Sequence, residues 1–245
     1  MEDGEVAVLT REGIEVYDAL EQKVEKKHFT IDWEVSAAEK GGYQHFMLKE
    51  IMEQPEALRR AISPRIKDGR VVFDDLKLPV EKMREFTRIF IVACGSSYHV
   101  GMIGKYNLEH LLRRNVEVVL ASEFRYSDPI VDDKSLVIVI SQSGETLDTM
   151  AALREAKKRG GYILSIVNVV GSSIAREADR VLYTQAGPEI SVASTKAMCS
   201  QMLVLTLMAL YWGSRKGTVS PEALSGIVHD ILALPEILQR ELPGM

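Results

Sequence analysis

The fold is decided by one stretch of sequence, SLVIVISQSGET, at residues 135–146. Its first half, from Ser135 to Ile140, is a continuous apolar run, whereas a strand with one solvated face alternates apolar and polar residues. The run stops at a short polar loop, and a helical pattern then extends from Glu145 to Arg159. This stretch predicts a strand buried on both faces, followed by a loop and a helix that covers one face.

Further apolar runs flank this stretch and alternate with helical segments. They predict strands at 89–93, 116–120, 162–167 and 180–184, and long helices at 194–212 and 221–240. Buried strands that alternate with helices indicate a parallel sheet covered on both sides. The expected fold is α/β, a three-layer sandwich with a mainly five-stranded parallel sheet, outside which the last helix can lie.

The N-terminal segment has a different, strand-like pattern. Apolar and polar residues alternate at 5–10, 13–17 and 27–33, which predicts a short antiparallel meander. Two or three strands alone are marginally stable in water, so we expect this meander to be the end of a larger domain. The small and polar segment 36–42 is the expected linker, followed by a helix over 43–52 and a continuation that starts at Pro55.

Composition disfavours several classes of function. The net charge of −5 argues against a nucleic-acid surface, which normally needs clustered Lys and Arg. The two cysteines, Cys94 and Cys199, lie in apolar runs, which predicts neither a disulfide framework nor a metal site and favours a reducing, cytoplasmic location. No secretory signal is evident, and the apolar segment 202–212 is too short to span a bilayer, so we expect a buried core helix and no membrane partner.

Two strand-to-helix loops, 93–97 and 140–146, share a composition rich in glycine and hydroxyl groups. Both lie at the carboxyl ends of predicted parallel strands, where open α/β sheets bind ligands. Glycine lets the backbone approach a ligand, and the helix N-terminus that follows attracts an anion. Serine and threonine are also ordinary helix caps, but two such loops on one face favour a phosphate site without a basic cluster. Neither loop matches a P-loop or a dinucleotide fingerprint.

A third segment, 189–196, leads from the last predicted strand into the long apolar helix. Ser194 or Thr195 either caps that helix or lines the pocket, and the sequence leaves both alternatives open. Lys196 can pair with a ligand, but a lysine near a helix start is more often solvated, and we favour that interpretation.

Five segments together resemble the first sugar isomerase (SIS) domain of the glutamine–fructose-6-phosphate aminotransferase family and its preceding linker. They are SQSGETLDT at 141–149, ACGSSY at 93–98, ASEFRY at 121–126, VASTKA at 192–197 and YQHFMLKEIMEQP at 43–55. The first segment alone indicates an SIS domain, and the combination in this order is specific to the aminotransferases. The resemblance implies a flavodoxin-like sheet.

The same resemblance implies a function and a set of substrate-binding residues. The family transfers the amide nitrogen of glutamine to fructose 6-phosphate and isomerises the product to glucosamine 6-phosphate, without a metal or organic cofactor. We therefore expect either sugar phosphate as the ligand, and a homodimer. The residues implied to bind it are Ser96, Ser97, Ser141, Gln142, Ser143, Thr146, Val192 and Ser194. The family's catalytic residues have no counterparts here, so none is assigned and the chain alone is expected to be inactive.

The resemblance also implies domain boundaries along the chain. The expected parts are the end of a glutaminase domain (1–36), a linker with helices (37–85), the first SIS domain (86–216) and a helix leading toward a second SIS domain (217–245).

Other interpretations stay open at the level of single residues and of the whole chain. His99 lies early in a helix and can face solvent, and Cys94 is predicted to be a small core residue near the pocket rather than a nucleophile. Glu123 and Arg125 form a local ion pair or contact another subunit. The alternative functions are a non-catalytic sugar-phosphate sensor, which a helix-turn-helix would precede, and a different sugar-phosphate isomerase.

Overall fold

The computed structural model of the chain describes residues 1, 4–26, 39–76 and 78–244. The chain forms two compact units, residues 1–32 and residues 33–245.

The first unit is a three-stranded antiparallel sheet. Its strands, in spatial order, are β1 (Val6–Leu9), β2 (Ile14–Tyr17) and β3 (Lys23–Val24). The predicted meander is confirmed for its first two strands. Strand β3 was not predicted. The Asp18 carboxylate closes the tight turn before it by accepting hydrogen bonds from the N–H groups of Leu20 and Gln22 at 2.8 and 2.9 Å. The strand predicted at 27–33 lies outside the described residues.

Short elements precede the main sheet of the second unit. They are α1 (Phe46–Met52), α2 (Gln54–Ile62), β4 (Ile66–Lys67), β5 (Arg70–Val71) and α3 (Val80–Glu85). The two predicted helices are confirmed, with Pro55 in the first turn of α2. The hairpin β4–β5 and helix α3 are not evident from the hydrophobic pattern. In the hairpin, Asp68 and Gly69 have φ values of +50° and +70°, the left-handed conformation that a type I′ turn requires.

A five-stranded parallel sheet forms the centre of the second unit. In chain order its strands are β6 (Arg88–Ala93), β7 (Val116–Leu120), β8 (Ser135–Ser141), β9 (Tyr162–Val167) and β10 (Arg180–Tyr183). Their spatial order is β10-β9-β8-β6-β7, and every neighbouring pair is parallel. Strand β8 is buried at all seven residues, as its continuous apolar run predicts.

Helices cover both faces of this sheet. They are α4 (Gly95–Leu112), α5 (Ala121–Phe124), α6 (Leu147–Lys158), α7 (Ser173–Glu177) and α8 (Lys196–Lys216), and a last helix, α9 (Pro221–Glu241), follows them. Alternate residues of β8 enter two separate cores. Leu136, Ile138 and Ile140 pack with α4 and α8, whereas Val137 and Val139 pack with α5, α6 and α7. The predicted three-layer α/β sandwich is therefore confirmed.

Helix α8 is a core helix. Among the described residues, it is the one helix that is long and apolar enough to cross a membrane. However, 67% of its most apolar window is buried inside the protein. It packs against α4 and α2, which confirms the core helix predicted from 202–212. Helix α9 packs mainly against α2, and its residues Val228, Ile231 and Pro235 are buried.

Candidate functional site

The two hydroxyl-rich segments follow neighbouring strands. Residues 95–97, predicted as a loop, form the first turn of α4, whereas a loop follows β8 and leads into α6. Strands β6 and β8 pair in parallel, with Ala93 opposite Ile140 at their carboxyl ends. The helix after β6 packs on one face of the sheet and the helix after β8 packs on the other. A crevice opens where connections leave a sheet in opposite directions, and open α/β proteins bind ligands there. The strand order therefore places both loops at this switch point.

A cleft of about 300 Å³ lies between these loops. Thr149, Glu189 and Ser191 line it without having been predicted. For Thr149 a sequence signal exists, because it follows Thr146 by three residues and residues three apart share a helix face. The structure brings all eight predicted substrate-binding residues to the cleft wall: Ser96, Ser97, Ser141, Gln142, Ser143, Thr146, Val192 and Ser194.

Hydrogen bonds within the 141–146 loop fix its shape. The Ser141 hydroxyl accepts a hydrogen bond from the Gly144 N–H at 3.0 Å and lies 3.1 Å from the Thr146 hydroxyl. The Ser143 hydroxyl accepts from the Glu145 N–H at 3.1 Å. Gly144 is buried with φ of +69°, a conformation that favours glycine. The loop is therefore shaped before any ligand arrives.

The hydroxyl groups at the starts of α4 and α6 do not cap these helices. The N-cap residues are Cys94 and Thr146, and neither side chain accepts a capping hydrogen bond. Away from the cleft, Ser220 does cap α9, by accepting from the Ala223 N–H at 3.2 Å. The capping alternative is therefore wrong for α4 and α6. Both helix N-termini carry the partial positive charge that attracts an anion.

Buried polar groups lie beside the first loop. The Ser97 hydroxyl donates to the Gln201 Oε1 at 3.1 Å, and both residues are buried. The Gln201 Nε2 and the Thr149 hydroxyl are buried without a hydrogen-bond partner among the described residues. Unpartnered buried polar atoms are uncommon and call for an explanation. The hydroxyl of Thr149, a cleft residue, is suited to a ligand group.

The third wall of the cleft is organised by a carboxylate. Glu189 Oε1 accepts hydrogen bonds from the N–H groups of Thr195 and Ala197 at 2.9 and 3.1 Å. Its Oε2 accepts from the Ser194 hydroxyl at 2.8 Å. Neither Ser194 nor Thr195 caps α8 through its side chain, so Ser194 takes the alternative role of lining the cleft. The carboxylate occupies the N-terminus of α8 in their place.

The prediction that Lys196 is solvated is wrong. Its side chain is 2% exposed, and its Nζ forms an ion pair with Glu53 Oε2 at 2.5 Å. The cause is the packing of α2 against α8, which the local sequence does not reveal. No Lys or Arg lines the cleft as the structure describes it, and Glu189 is its only charged residue there.

The structure also places the remaining candidates of the sequence. His99 is exposed, and Cys94 lines the cleft beside Gly95. Arg125 pairs with Asp148 at 3.3 Å rather than with Glu123, and its guanidinium lies over the Tyr126 ring.

The cysteines form no disulfide bond, and the described residues contain no metal-binding cluster. Both cysteines are free, and burial raises the pKa of the Cys199 thiol. Among the residues that the structure describes, no three His, Cys, Asp or Glu side chains come together as a metal site.

A doubly wound sheet with a hydroxyl-lined cleft at its switch point defines the class. Residues 82–211 match the SIS domain family, and the chain belongs to that family. Among curated relatives, it is similar to the glutamine–fructose-6-phosphate aminotransferases [isomerizing] of Clostridium acetobutylicum and Clostridium tetani. The identities are 50% and 48% over 237 residues, which cover 96% of this chain and 39% of each relative.

A solved structure gives the same result. The C-terminal domain of glucosamine-fructose-6-phosphate aminotransferase from Francisella tularensis is 40% identical, with a TM-score of 0.75. The similarity covers 81% of this chain and 55% of that one. The chain spans about two fifths of the length of the two curated relatives.

Proposed function

We propose that this chain binds fructose 6-phosphate as the sugar-phosphate-binding part of a glutamine–fructose-6-phosphate aminotransferase. One observation carries the proposal: two helices without side-chain caps begin beside a single hydroxyl-lined cleft at the switch point of the sheet. The phosphate lies between the first turn of α4, at 95–97, and the loop 141–146, and the sugar lies toward 192–194. The glucosamine 6-phosphate product occupies the same cleft.

Neutral donors are sufficient to hold the phosphate. Hydrogen bonds to a charged group contribute about 1.5–3 kcal/mol each, and the hydroxyls of Ser97, Ser141, Ser143 and Thr146 can reorient toward phosphate oxygens. The helix dipoles add a favourable potential that needs no lysine or arginine. An acidic protein can therefore bind an anionic sugar at this cleft.

The activity of the whole protein follows from its relatives. It transfers the amide nitrogen of glutamine to fructose 6-phosphate and converts the ketose to the aldose, giving glucosamine 6-phosphate and glutamate. The residues of this chain bind and orient the sugar phosphate, and none is assigned a proton-transfer step. We propose residues 1–36 as glutaminase-derived, 37–85 as the linker, 86–216 as the first SIS domain and 217–245 as the helix toward a second. The homodimer stays a prediction.

Titration of fructose 6-phosphate by calorimetry, on the wild type and on Ser143→Asp, tests the proposal. An aspartate can still accept the hydrogen bond from the Glu145 N–H, so the loop is kept, but its charge repels the phosphate. Ser220→Asp is the matched control, because Ser220 makes the same kind of bond away from the cleft. We expect binding to be lost in the first variant and kept in the second. Equal binding by all three proteins would place the phosphate elsewhere.

A further inference from the structure

Glu50, on helix α1, is a buried carboxylate whose described hydrogen bonds all go to one wall of the cleft. Its exposed fraction is 2%. Its Oε1 accepts hydrogen bonds from the N–H groups of Ile190 and Ser191 at 2.6 and 3.1 Å, and its Oε2 accepts from the Ser191 hydroxyl. A carboxylate that accepts from several donors holds them strongly, because charge-assisted hydrogen bonds are about twice as strong as neutral ones.

The wall that Glu50 holds is the middle of an irregular segment, whose start is held by hydrogen bonds of Arg60 and Asn168 with residues 185–187. Residues 184–194 contain no helix or strand, and Ile190 and Val192 are exposed. The C-terminal end of this segment is fixed by Glu189, which binds Ser194 and the start of α8. Glu50 fixes the middle, so Ser191 and Val192 keep their places in the cleft through a residue outside the sheet and its loops.

The linker segment thus takes part in the site. A second carboxylate nearby, that of Glu53, binds Lys196 on α8 instead of the wall, so two carboxylates three residues apart have separable tasks. From this geometry we infer that Glu50 is a positioning residue that holds the 190–194 wall in place for the sugar moiety. The inference rests on the proposed function, in which the phosphate lies at 141–146 and the sugar at 192–194. It extends the site to a residue that touches no ligand.

Two ligands separate positioning from general stability. Inorganic phosphate probes the 95–97 and 141–146 loops alone, whereas fructose 6-phosphate also needs the wall. For Glu50→Ala we expect about tenfold weaker binding of fructose 6-phosphate, as loss of the hydrogen bonds to a charged acceptor predicts, and unchanged binding of inorganic phosphate. Glu50→Gln keeps an uncharged acceptor and should give an intermediate affinity. Both are measured by calorimetry at a temperature where circular dichroism shows a folded chain.

Glu53→Gln is the matched control, since it neutralises a carboxylate of the same segment that does not touch the wall. It should lower the thermal unfolding temperature without a selective loss of the sugar phosphate. Unchanged fructose 6-phosphate binding in Glu50→Ala, or an equal loss of both ligands, would overturn the inference. If the wild type binds fructose 6-phosphate no more tightly than inorganic phosphate, the inference is overturned too. A wild type that binds neither ligand overturns the proposed function and the inference with it.

Discussion

Substituting Gly144 by alanine tests the packing of the 141–146 loop directly. The residue has φ of +69°, which costs a non-glycine residue about 1–2 kcal/mol. A Cβ there would lie 2.0 Å from the Ser172 Oγ and 2.5 Å from the Ser172 Cβ. The hydroxyl can rotate away, but the Cβ is fixed to the backbone, so overpacking adds about 1–3 kcal/mol. We expect Gly144→Ala to lower the free energy of unfolding by about 2–5 kcal/mol.

Urea denaturation with two further variants separates these contributions. Gly217→Ala is the backbone control, because Gly217 has φ of +78° and an added Cβ meets nothing within 4 Å. Ser172→Gly removes the clashing atoms at little cost, since the Ser172 hydroxyl has no partner among the described residues. Combined with Gly144→Ala, it should recover about 1–3 kcal/mol in a double-mutant cycle. If Gly144→Ala costs no more than Gly217→Ala and the cycle shows no coupling, the loop does not pack against Ser172.

Three other predictions concern a buried hydroxyl, a buried ion pair and a carboxylate on α4. Thr149→Val removes a buried hydroxyl without a partner among the described residues, so urea unfolding should show unchanged stability or a gain of about 1 kcal/mol; a clear loss would reveal a partner. Glu53→Gln leaves the buried Lys196 ammonium opposite a neutral amide and should lower the free energy of unfolding by about 3 kcal/mol, more than Lys196→Met does. A larger loss in Lys196→Met would contradict a buried ion pair between the two residues. A hydrogen bond from Lys105 lowers the pKa of the Glu109 carboxyl below its ordinary value of 4.5. Because the pKa is lower in the folded state, the ionised carboxyl stabilises the fold at pH values above its ordinary pKa. This stabilisation is lost as the pH falls through the pKa of the folded state. Thermal unfolding should therefore be less acid-sensitive in Glu109→Gln, and equal acid sensitivity would refute the interaction.

The sequence predicts the sheet well because each strand carries a local signal. The run at 116–120 matches β7 at both ends, although only Val116 of this edge strand is buried. The run at 162–167 matches the inner strand β9 at both ends. A strand covered on both faces must be apolar throughout, so its limits coincide with those of the apolar run. The hairpin at Ile66–Val71 lacks such a run. Its Asp68-Gly69 pair is a turn signal, but the alternating apolar residues that would indicate a hairpin on either side are absent.

The candidate site is predictable only where its residues are close in sequence. The hydroxyl-rich loops follow their strands directly, and the structure brings all eight predicted residues to one cleft. Glu50 and Lys196 escape prediction because their partners, Ser191 and Glu53, are 141 and 143 residues away. Only the packing of α2 against α8, with α1 against α2, decides these contacts, and no local periodicity encodes it.

The distribution of charge in the cleft favours one orientation of a bound sugar phosphate. Glu189 is the single charged residue on the described cleft wall, and its carboxylate already occupies the N-terminus of α8. A phosphate dianion is repelled by that carboxylate and attracted by the free dipole ends of α4 and α6. Sugar hydroxyls, in contrast, can donate to a carboxylate oxygen. We therefore expect the phosphate at the 141–146 end and the hydroxyl-bearing carbons at the 189–194 end. In calorimetric titrations, Glu189→Gln should weaken binding of fructose 6-phosphate without weakening binding of inorganic phosphate, and a loss of both would contradict this orientation.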